Sequence, residues 1–304
     1  MNGKDVIFVG GCMRTGTSLL QSVLCSTEQT NKFTHECHYL TKQMYLFRAR
    51  YQAFHPVDQA YFGSREALSG FTAGIVSSFL SLVRAQHQAP KILVLKTPEL
   101  TPYFPYLLQM LPDAKFVVSV REPKDTIASM IEVGERQQQR GEPSHFQSLA
   151  RDMAQFVEYY KSYYAPLFDY LSNAEAGTRA RVMLTSYESL LTETANALAA
   201  LGKFSGIDLS GFDKAAKWRS EIHGVDGNVK DGVINAWQTE LEGKGLSTAR
   251  LGRYAEVLTA REIQEIDEES ADISQAFGYD RPHARSQFNT MGFRVIKVGQ
   301  RKRA

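Results

Sequence analysis

The sequence predicts an α/β fold, a parallel sheet flanked by helices in a single domain. Four short runs at 6–9, 92–95, 115–120 and 181–184 are rich in β-branched and other apolar residues, as buried parallel strands are. Segments with apolar residues at helical spacing separate these runs, so strands and helices alternate along the chain. No Pro-, Gly- or Ser-rich linker divides the 304 residues, which favours one domain over two.

Composition limits the partners that this chain is expected to have. Hydrophobic residues make up 43% of the chain and charged residues 22%, the proportions of an ordinary soluble globular protein. The net charge of +2 is too small to indicate nucleic acid or a membrane surface as the main partner. Basic residues gather in 291–304, which we expect to form a solvated tail beyond a domain at 1–290.

Cysteine usage and the apolar stretches bear on location. The three cysteines, Cys12, Cys25 and Cys37, contain no C-x-x-C pair and leave an odd number for disulfides, which favours a reducing compartment. The first strand begins too close to Met1 to leave room for a signal peptide. The longest apolar stretch, 70–83, is interrupted by serines and is shorter than a membrane span. We therefore expect a cytoplasmic protein without a membrane span.

A glycine-rich turn follows the first predicted strand. It reads Gly10-Gly11-Cys12-Met13-Arg14-Thr15-Gly16-Thr17-Ser18, and apolar residues at helical spacing come next. Glycine permits the sharp bend of such a turn, and the first amides of a helix present free N–H groups. Strand, turn and helix N-terminus together predict a phosphate-binding loop of the P-loop type.

This loop differs at one position from that of nucleoside triphosphatases. Gly11 and Gly16 match the spacing G-x-x-x-x-G, but Thr17 stands where those enzymes carry the lysine that bridges the outer phosphates. Arg14 supplies a cation inside the loop instead, and no predicted strand ends in an obvious aspartate for magnesium. The pattern favours a nucleotide that needs no metal-bridged triphosphate, so no metal is predicted.

Helical periodicity places the remaining elements. We predict helices at 41–62 with a break at Pro56, 66–84, 102–111, 125–139, 146–172, 187–202 and 260–277. The helix at 66–84 is expected to pack on the sheet. A stripe of tyrosines at 159–164 is interpreted as core rather than as a cofactor contact. Residues 218–246 are expected to form a loop or lid around a short helix that carries Trp237.

Polar side chains follow the other predicted strands. Lys96 lies at the end of the second strand, Arg121 at the end of the third, and Tyr187 shortly after the fourth. Ligands of parallel α/β sheets bind outside the carboxyl ends of the strands. We therefore expect these three side chains to lie near the phosphate-binding loop.

Two of these strings resemble motifs of a known family. They are Arg14-Thr15-Gly16-Thr17-Ser18, after the first strand, and Arg121-Glu122-Pro123-Lys124-Asp125 with Ser129, after the third. The pair resembles the two nucleotide-binding motifs of the sulfotransferases that use 3′-phosphoadenosine 5′-phosphosulfate (PAPS). Two further strings, Lys96-Thr97-Pro98 and Tyr187-Glu188-Ser189-Leu190, resemble other elements of that family, the second with Ser189 in place of an aspartate. The resemblance spans about residues 5–240 and is closest to the arginine-loop bacterial and tyrosyl-protein branches.

The resemblance implies the role of each motif. The loop, Arg14 to Ser18, would bind the 5′-phosphosulfate, and Arg121 with Ser129 would bind the 3′-phosphate, with Tyr187 close to the nucleotide. Lys96 and Arg14 would stabilise the charge that develops on the bridging oxygen as the S–O bond breaks. The product would be adenosine 3′,5′-bisphosphate, and the transfer would need no metal.

The general base is left open among three neighbouring residues. Glu36 matches the position of the catalytic glutamate in the arginine-loop branches and is the first choice. His38 and His35 flank it, and an imidazole can also accept a proton near neutral pH. On a strand, residues 36 and 38 would share a face and 35 would oppose them.

The predicted activity is that of a sulfotransferase acting on a hydroxyl, or an amine, of a small-molecule or carbohydrate acceptor. The sulfuryl group would move by in-line displacement, with a general base taking the acceptor proton. Two alternatives remain open at this point. One is a metal-dependent P-loop kinase for a small molecule, and the other is a nucleotide-binding protein without catalytic activity.

Overall fold

The computed structural model describes residues 3–215, 236–237 and 245–279. Four strands, β1 (Val6–Gly11), β2 (Leu93–Lys96), β3 (Lys115–Val120) and β4 (Val182–Ser186), form one sheet in the order β2-β1-β3-β4. All three strand pairs are parallel, which confirms the predicted α/β class. The predicted tail at 291–304 and most of the predicted lid at 218–246 lie outside the described residues.

Helices cover both faces of this sheet. In chain order they are α1 (Thr17–Leu24), α2 (His38–Gln52), α3 (Pro56–Phe62), α4 (Arg65–Gln86), a 3₁₀ helix (Pro98–Tyr103), α5 (Phe104–Met110), α6 (Pro123–Gln139), α7 (His145–Ser148), α8 (Met153–Asn173), α9 (Ala176–Arg179), α10 (Tyr187–Thr192), α11 (Thr194–Ser205), α12 (Tyr254–Val257), α13 (Ala260–Glu269) and α14 (Ala271–Phe277). The predicted break at Pro56 separates α2 from α3, and α6 ends where the pattern predicted.

Three predicted helices are interrupted in the structure. The helix expected at 146–172 breaks where Ala150 and Arg151 adopt left-handed φ of 49° and 57°, and Asp152 then caps α8 by accepting from Gln155 N at 3.1 Å. Breaks at Glu193 and Ser270 divide the helices predicted at 187–202 and 260–277. The helix predicted at 102–111 is preceded by the 3₁₀ helix, which contains two prolines.

The alternation of side chains along each strand divides the buried apolar residues of the described chain between two hydrophobic cores. Successive side chains of a strand point to opposite faces, so Phe8 and Phe116 belong to one core, and Ile7 and Val117 to the other. The first core also contains buried tyrosines of α8, Tyr160, Tyr163 and Tyr164. The interpretation of the tyrosine stripe as core is therefore confirmed.

Helix α4 is peripheral rather than packed mainly on the sheet as expected. Its buried residues form one narrow stripe, Leu68, Thr72, Val76 and Leu80, at four-residue intervals. Its neighbours are α2, α3 and α5. With 22 residues it extends beyond the apolar stretch at 70–83, and among the described helices it alone is long and apolar enough to cross a membrane, by length and composition only.

Candidate active site

The glycine-rich turn wraps the space above β1. Gly11, Arg14 and Gly16 have positive φ angles of 126°, 71° and 87°, so the turn uses left-handed backbone at three places. Gly16 is the N-cap of α1 and provides no side-chain cap for the first amides of that helix. These N–H groups lie at the positive end of the helix dipole, an arrangement that favours an anion.

Neighbouring atoms also leave no room for a side chain at Gly11 or Gly16. A Cβ at Gly16 would lie 2.3 Å from the ring of Tyr187, and one at Gly11 would lie 2.3 Å from the carbonyl oxygen of Ser119. Gly11 is paired with Ser119 in the β1–β3 register. The turn is therefore fitted tightly between β3 and α10.

Hydrogen bonds from the core hold the turn in place. Ser119 Oγ donates to the Thr15 carbonyl at 2.5 Å, and the Thr15 hydroxyl donates to the Cys12 carbonyl at 2.7 Å. The buried hydroxyl of Tyr164 accepts from Cys12 N and donates to the Ser119 carbonyl, both at 3.0 Å. Tyr164 thus connects the loop to the neighbouring strand from below.

Lys96 lies on the β2 side of the loop. Its side chain is 3% exposed, and its ammonium is 2.5 Å from Glu36 Oε1 and 3.1 Å from Ser18 Oγ. One buried cation therefore connects the candidate base with the first turn of α1. A charge-assisted contact of this length is among the stronger hydrogen bonds in proteins.

The segment that carries Glu36 is held against the end of β2. The amide of Cys37 donates to Thr97 Oγ1 at 2.9 Å, and the side chain of Asn31 bonds to both the amide and the carbonyl of Val94, at 2.6 and 3.0 Å. Residues 35–37 do not form a strand, and α2 begins at His38. The argument that 36 and 38 share a strand face therefore does not apply.

Glu99 is a member of this site that the sequence reasoning missed. The potential ligand atoms of Glu36, His38 and Glu99 all lie within 4.8 Å of one another. Burial, followed by the negative charge of Glu36, raises the pKa of Glu99. His35 is exposed. The position of Glu99, three residues after the strand end at Lys96, was the available signal.

Arg121 lies on the β3 side of the loop. Its guanidinium donates to the Arg14 carbonyl at 3.1 Å and to the Arg250 carbonyl at 2.6 Å, and it lies 4.6 Å from the centre of the Tyr187 ring. It also forms a buried ion pair of 3.7 Å with Asp125. Its Nε is buried and has no hydrogen-bond partner within the described part of the chain.

A direct hydrogen bond joins the two sequence motifs. Arg14 Nε donates to Ser129 Oγ at 3.1 Å, across the gap between the loop and α6. Arg14 also donates to the Trp237 carbonyl at 2.7 Å. The Arg14 side chain therefore reaches toward the second motif. Of the region from Lys230 to Trp237, only Ala236 and Trp237 are described, and both lie against this site.

Two further arginines surround this junction, and the sequence reasoning missed both. Arg136 lies two turns after Ser129 on α6, and Arg250 comes from a distant part of the chain. Removal from water, reinforced by the charges of Arg136, Arg121 and Arg250, lowers the pKa of Arg14 to about 10. Glu132 accepts from Arg250 at 2.7 Å and from Arg253 at 3.0 Å. Among the described residues the guanidinium groups here outnumber the carboxylates, so this part of the site favours an anion.

The profile of the sulfotransferase family matches residues 6–211. The chain belongs to the sulfotransferase family. The matched region contains the loop, Lys96, Arg121, Ser129 and Tyr187.

Solved sulfotransferase structures share the fold. The sulfotransferase domain of the Synechococcus PCC 7002 olefin synthase is 16% identical and superimposes with a TM-score of 0.54, covering 91% of this chain and 95% of that one. The sulfotransferase domain of the curacin biosynthetic pathway, also 16% identical, gives a TM-score of 0.50 over 88% of this chain and 98% of that one. No curated protein matches the chain. At these identities the likeness concerns the fold alone.

Proposed function

We propose that this sulfotransferase moves the sulfuryl group of PAPS to a hydroxyl, or an amine, of a small-molecule or carbohydrate acceptor. The observation that carries the proposal is the position of Lys96, whose ammonium contacts both Glu36 and Ser18. A carboxylate and a cation lie together there, beside the N-terminus of α1 and the glycine-rich turn. In-line transfer of a sulfuryl group to an acceptor oxygen uses this combination, because one group takes the acceptor proton and the other stabilises the charge on the leaving oxygen.

Glu36 is proposed to take the proton of the acceptor. It is part-exposed, with 32% of its side chain accessible, so an acceptor can reach it while Lys96 remains buried behind. Lys96 holds the carboxylate in place and is available to the oxygen that gains charge as the S–O bond breaks. Glu99 and His38 form the remaining wall of this space, and His38 is retained as the alternative base.

The residues present fit the donor. The backbone amides of the loop and the first turn of α1 suit a 5′-phosphosulfate, which is an anion. The excess of guanidinium groups around Ser129, and the unpartnered Nε of Arg121, suit the 3′-phosphate dianion. We assign the Arg14 side chain to the 3′-phosphate as well, because its hydrogen bond is to Ser129. When bound, PAPS supplies the sulfuryl group.

The test is the stabilisation of the protein by adenosine 3′,5′-bisphosphate without magnesium. At one hundred times the dissociation constant, linkage predicts a gain of about 2.7 kcal/mol in the free energy of unfolding. Arg136→Gln should lose most of this gain, because it removes one of the charges around Ser129. Arg140→Gln, four residues further along at the exposed end of α6, is the matched control and should keep it.

Two results would contradict the proposal. One is stabilisation by ATP with magnesium and none by the bisphosphate, which would favour a P-loop kinase. The other is binding of the bisphosphate with no sulfate transferred from PAPS to any member of a broad acceptor panel, which would favour a non-catalytic nucleotide-binding protein.

A further inference from the structure

Exposed apolar side chains concentrate on one part of the surface. Among the described residues, seven of the eight exposed large hydrophobic side chains lie in 39–82, on α2, α3 and α4. They are Tyr39, Tyr45, Leu46, Val57, Tyr61, Phe71 and Leu82, each at least 55% exposed. Three of them, Tyr39, Phe71 and Leu82, line one groove, and an exposed apolar patch of this kind marks an interaction site more often than an ordinary surface.

A groove runs along this surface. It has a volume of about 760 Å³ and is lined by Tyr39, Gly70, Phe71, Gly74, Ile75, Ser78, Phe79 and Leu82. Gly70 and Gly74 both line it, and we call this part of the groove its floor. A Cβ at either glycine would meet nothing within 4 Å, so a larger side chain there would project into the groove. Between Gly70 and Leu82 the helix rises by about 18 Å, at 1.5 Å a residue. The groove is therefore long, apolar and of the volume that small-molecule sites have.

One wall of the groove is next in the chain to a residue of the candidate active site. The Tyr39 ring lies 5.3 Å from that of Phe79, so α2 and α4 together form the wall. Tyr39 directly follows His38, whose imidazole lies within 4.8 Å of the carboxylate oxygens of Glu36 and Glu99. Tyr39 is therefore the groove-lining residue nearest in the chain to Glu36, and it is the residue that a hydrocarbon chain attached to an acceptor at Glu36 would meet first on the way to α4.

The charges around the groove bear on which occupant it takes. Residues 38–86 contain five basic and two acidic side chains, and none of the groove-lining residues is one of them. Two copies of this face would bring like charges together, which opposes self-association. An acceptor with a polar or anionic head and an apolar chain matches the net positive charge of residues 38–86 and the apolar lining of the groove.

We propose that the α4 groove binds the hydrocarbon chain of an amphiphilic acceptor whose hydroxyl is sulfated at Glu36. The inference rests on the proposed function for the reaction at Glu36, and it adds the chemical class of the acceptor. Apolar contact in the groove contributes affinity, and the polar head determines which atom faces the base.

The experiment measures binding of hexyl, octyl and decyl β-D-glucoside by calorimetry, each below its micelle concentration and without a sulfuryl donor. Each added CH₂ should tighten the dissociation constant about twofold to fourfold, the factor expected from partial to full burial of a methylene. Gly74→Leu fills the floor of the groove. It should raise the dissociation constant of decyl glucoside at least tenfold and that of hexyl glucoside by less. Leucine is a better helix former than glycine, so the variant should fold.

Gly177→Leu is the matched control. Gly177 is also a helical glycine with open space at its Cβ, but it lies on α9 and outside the groove. The Gly177→Leu variant should bind all three glucosides with the affinities of the wild type. Affinity that is independent of chain length, or equal in the two variants, would overturn the proposal.

Other occupants give different results. A wild-type dimer in sedimentation that Gly74→Leu converts to monomer would assign the groove to a second copy of the chain and overturn the proposal. Binding to phosphatidylglycerol vesicles without chain-length dependence for the glucosides would assign it to a membrane surface, with the same consequence. Chain-length-dependent binding that Gly74→Leu abolishes, with no adenosine 3′,5′-bisphosphate released from PAPS, would support the groove and contradict the proposed function.

Discussion

At the residue scale, Lys96 is a cation whose side chain is almost entirely buried. An ammonium that is 3% exposed requires a close partner, because the cost of removing a charge from water is several kcal/mol. Glu36 Oε1 and Ser18 Oγ both lie within hydrogen-bond distance of this ammonium. The pair is asymmetric, since Glu36 remains in contact with solvent while Lys96 does not.

We expect Lys96→Met to lower the turnover of PAPS by about 10²- to 10³-fold, as the loss of one positioned charge at a developing oxyanion does. Methionine fills a similar volume, and the partly solvated Glu36 tolerates the loss, so the thermal midpoint should change little. The measurement is release of adenosine 3′,5′-bisphosphate under saturating substrates. A loss of bisphosphate affinity as large as the loss of rate would instead assign Lys96 to donor binding.

Glu99 allows a prediction on pH. Its pKa is raised in the folded protein, so the folded chain holds the proton more tightly than the unfolded chain does. Its contribution to stability therefore declines as the pH rises from the unfolded value of about 4.3 through the raised folded value. Glu99→Gln removes this decline, and its free energy of unfolding relative to wild type should be higher at pH 7 than at pH 4.

Urea unfolding at the two pH values measures this difference. Glu142→Gln, at an exposed carboxylate just after α6, is the matched control for loss of a charge. A Glu99→Gln effect that is equal at both pH values would show that the carboxyl does not titrate differently in the folded chain.

At the element scale, the turn before α1 depends on Gly16. The residue combines a φ of 87° with the ring of Tyr187 only 2.3 Å from the position of a Cβ. Gly141, after α6, also has positive φ, 68°, but a Cβ there would meet nothing within 4 Å. The two glycines separate backbone strain from steric contact.

Gly141→Ala should cost about 1 kcal/mol, the penalty of a left-handed backbone for a residue with a Cβ. Gly16→Ala should cost more, about 2–4 kcal/mol, because Tyr187 or the loop must also move. Gly16→Ala should also weaken the binding of adenosine 3′,5′-bisphosphate, since the loop amides shift. Chemical denaturation and calorimetry measure the two effects. An equal loss of unfolding free energy at the two sites would mean that the Tyr187 ring moves aside without measurable cost.

At the scale of the whole molecule, the sheet separates two cores that share the same strands. Phe116 belongs to the core that includes α8, and Leu20 of α1 belongs to the other. Because alternate residues of each strand enter each core, neither core can be lost while the sheet is retained. We infer that the described chain unfolds as one cooperative unit.

Phe116→Ala should lower the free energy of unfolding by about 3–5 kcal/mol, and Leu20→Ala by about 2–5 kcal/mol. Both should shift the same single transition, followed by far-ultraviolet circular dichroism and by tyrosine fluorescence. Separate transitions for the two variants would indicate two independently folding parts.

Local pattern was enough to predict much of the fold. The runs at 6–9, 92–95, 115–120 and 181–184 correspond to the four strands within two residues at each end. Helix breaks at 149–152 and at Ser270 were missed, because local caps and left-handed residues interrupt a continuous apolar pattern. The start of α2 at His38, three residues before the predicted start at 41, was missed for a related reason, because no side-chain cap marks it.

The sequence by itself determined which chemical groups stand at the strand ends. The loop, Lys96 and Arg121 are each adjacent in the chain to a run that can only be a buried strand, and that adjacency is local information. Their types already indicated an anion and a cation-assisted transfer. The family resemblance carried by these motifs agrees with the matched family.

Only the tertiary structure decided how these groups meet. The order β2-β1-β3-β4 places the loop of β1 between Lys96 on one side and Arg121 on the other, and no local pattern encodes the order of strands. The same folding brings Arg250 to Arg121, Ser129 to Arg14, and Glu99 to Glu36. Such pairings depend on long-range packing, because each contact joins residues that are far apart in the chain and adjacent only when the sheet has formed.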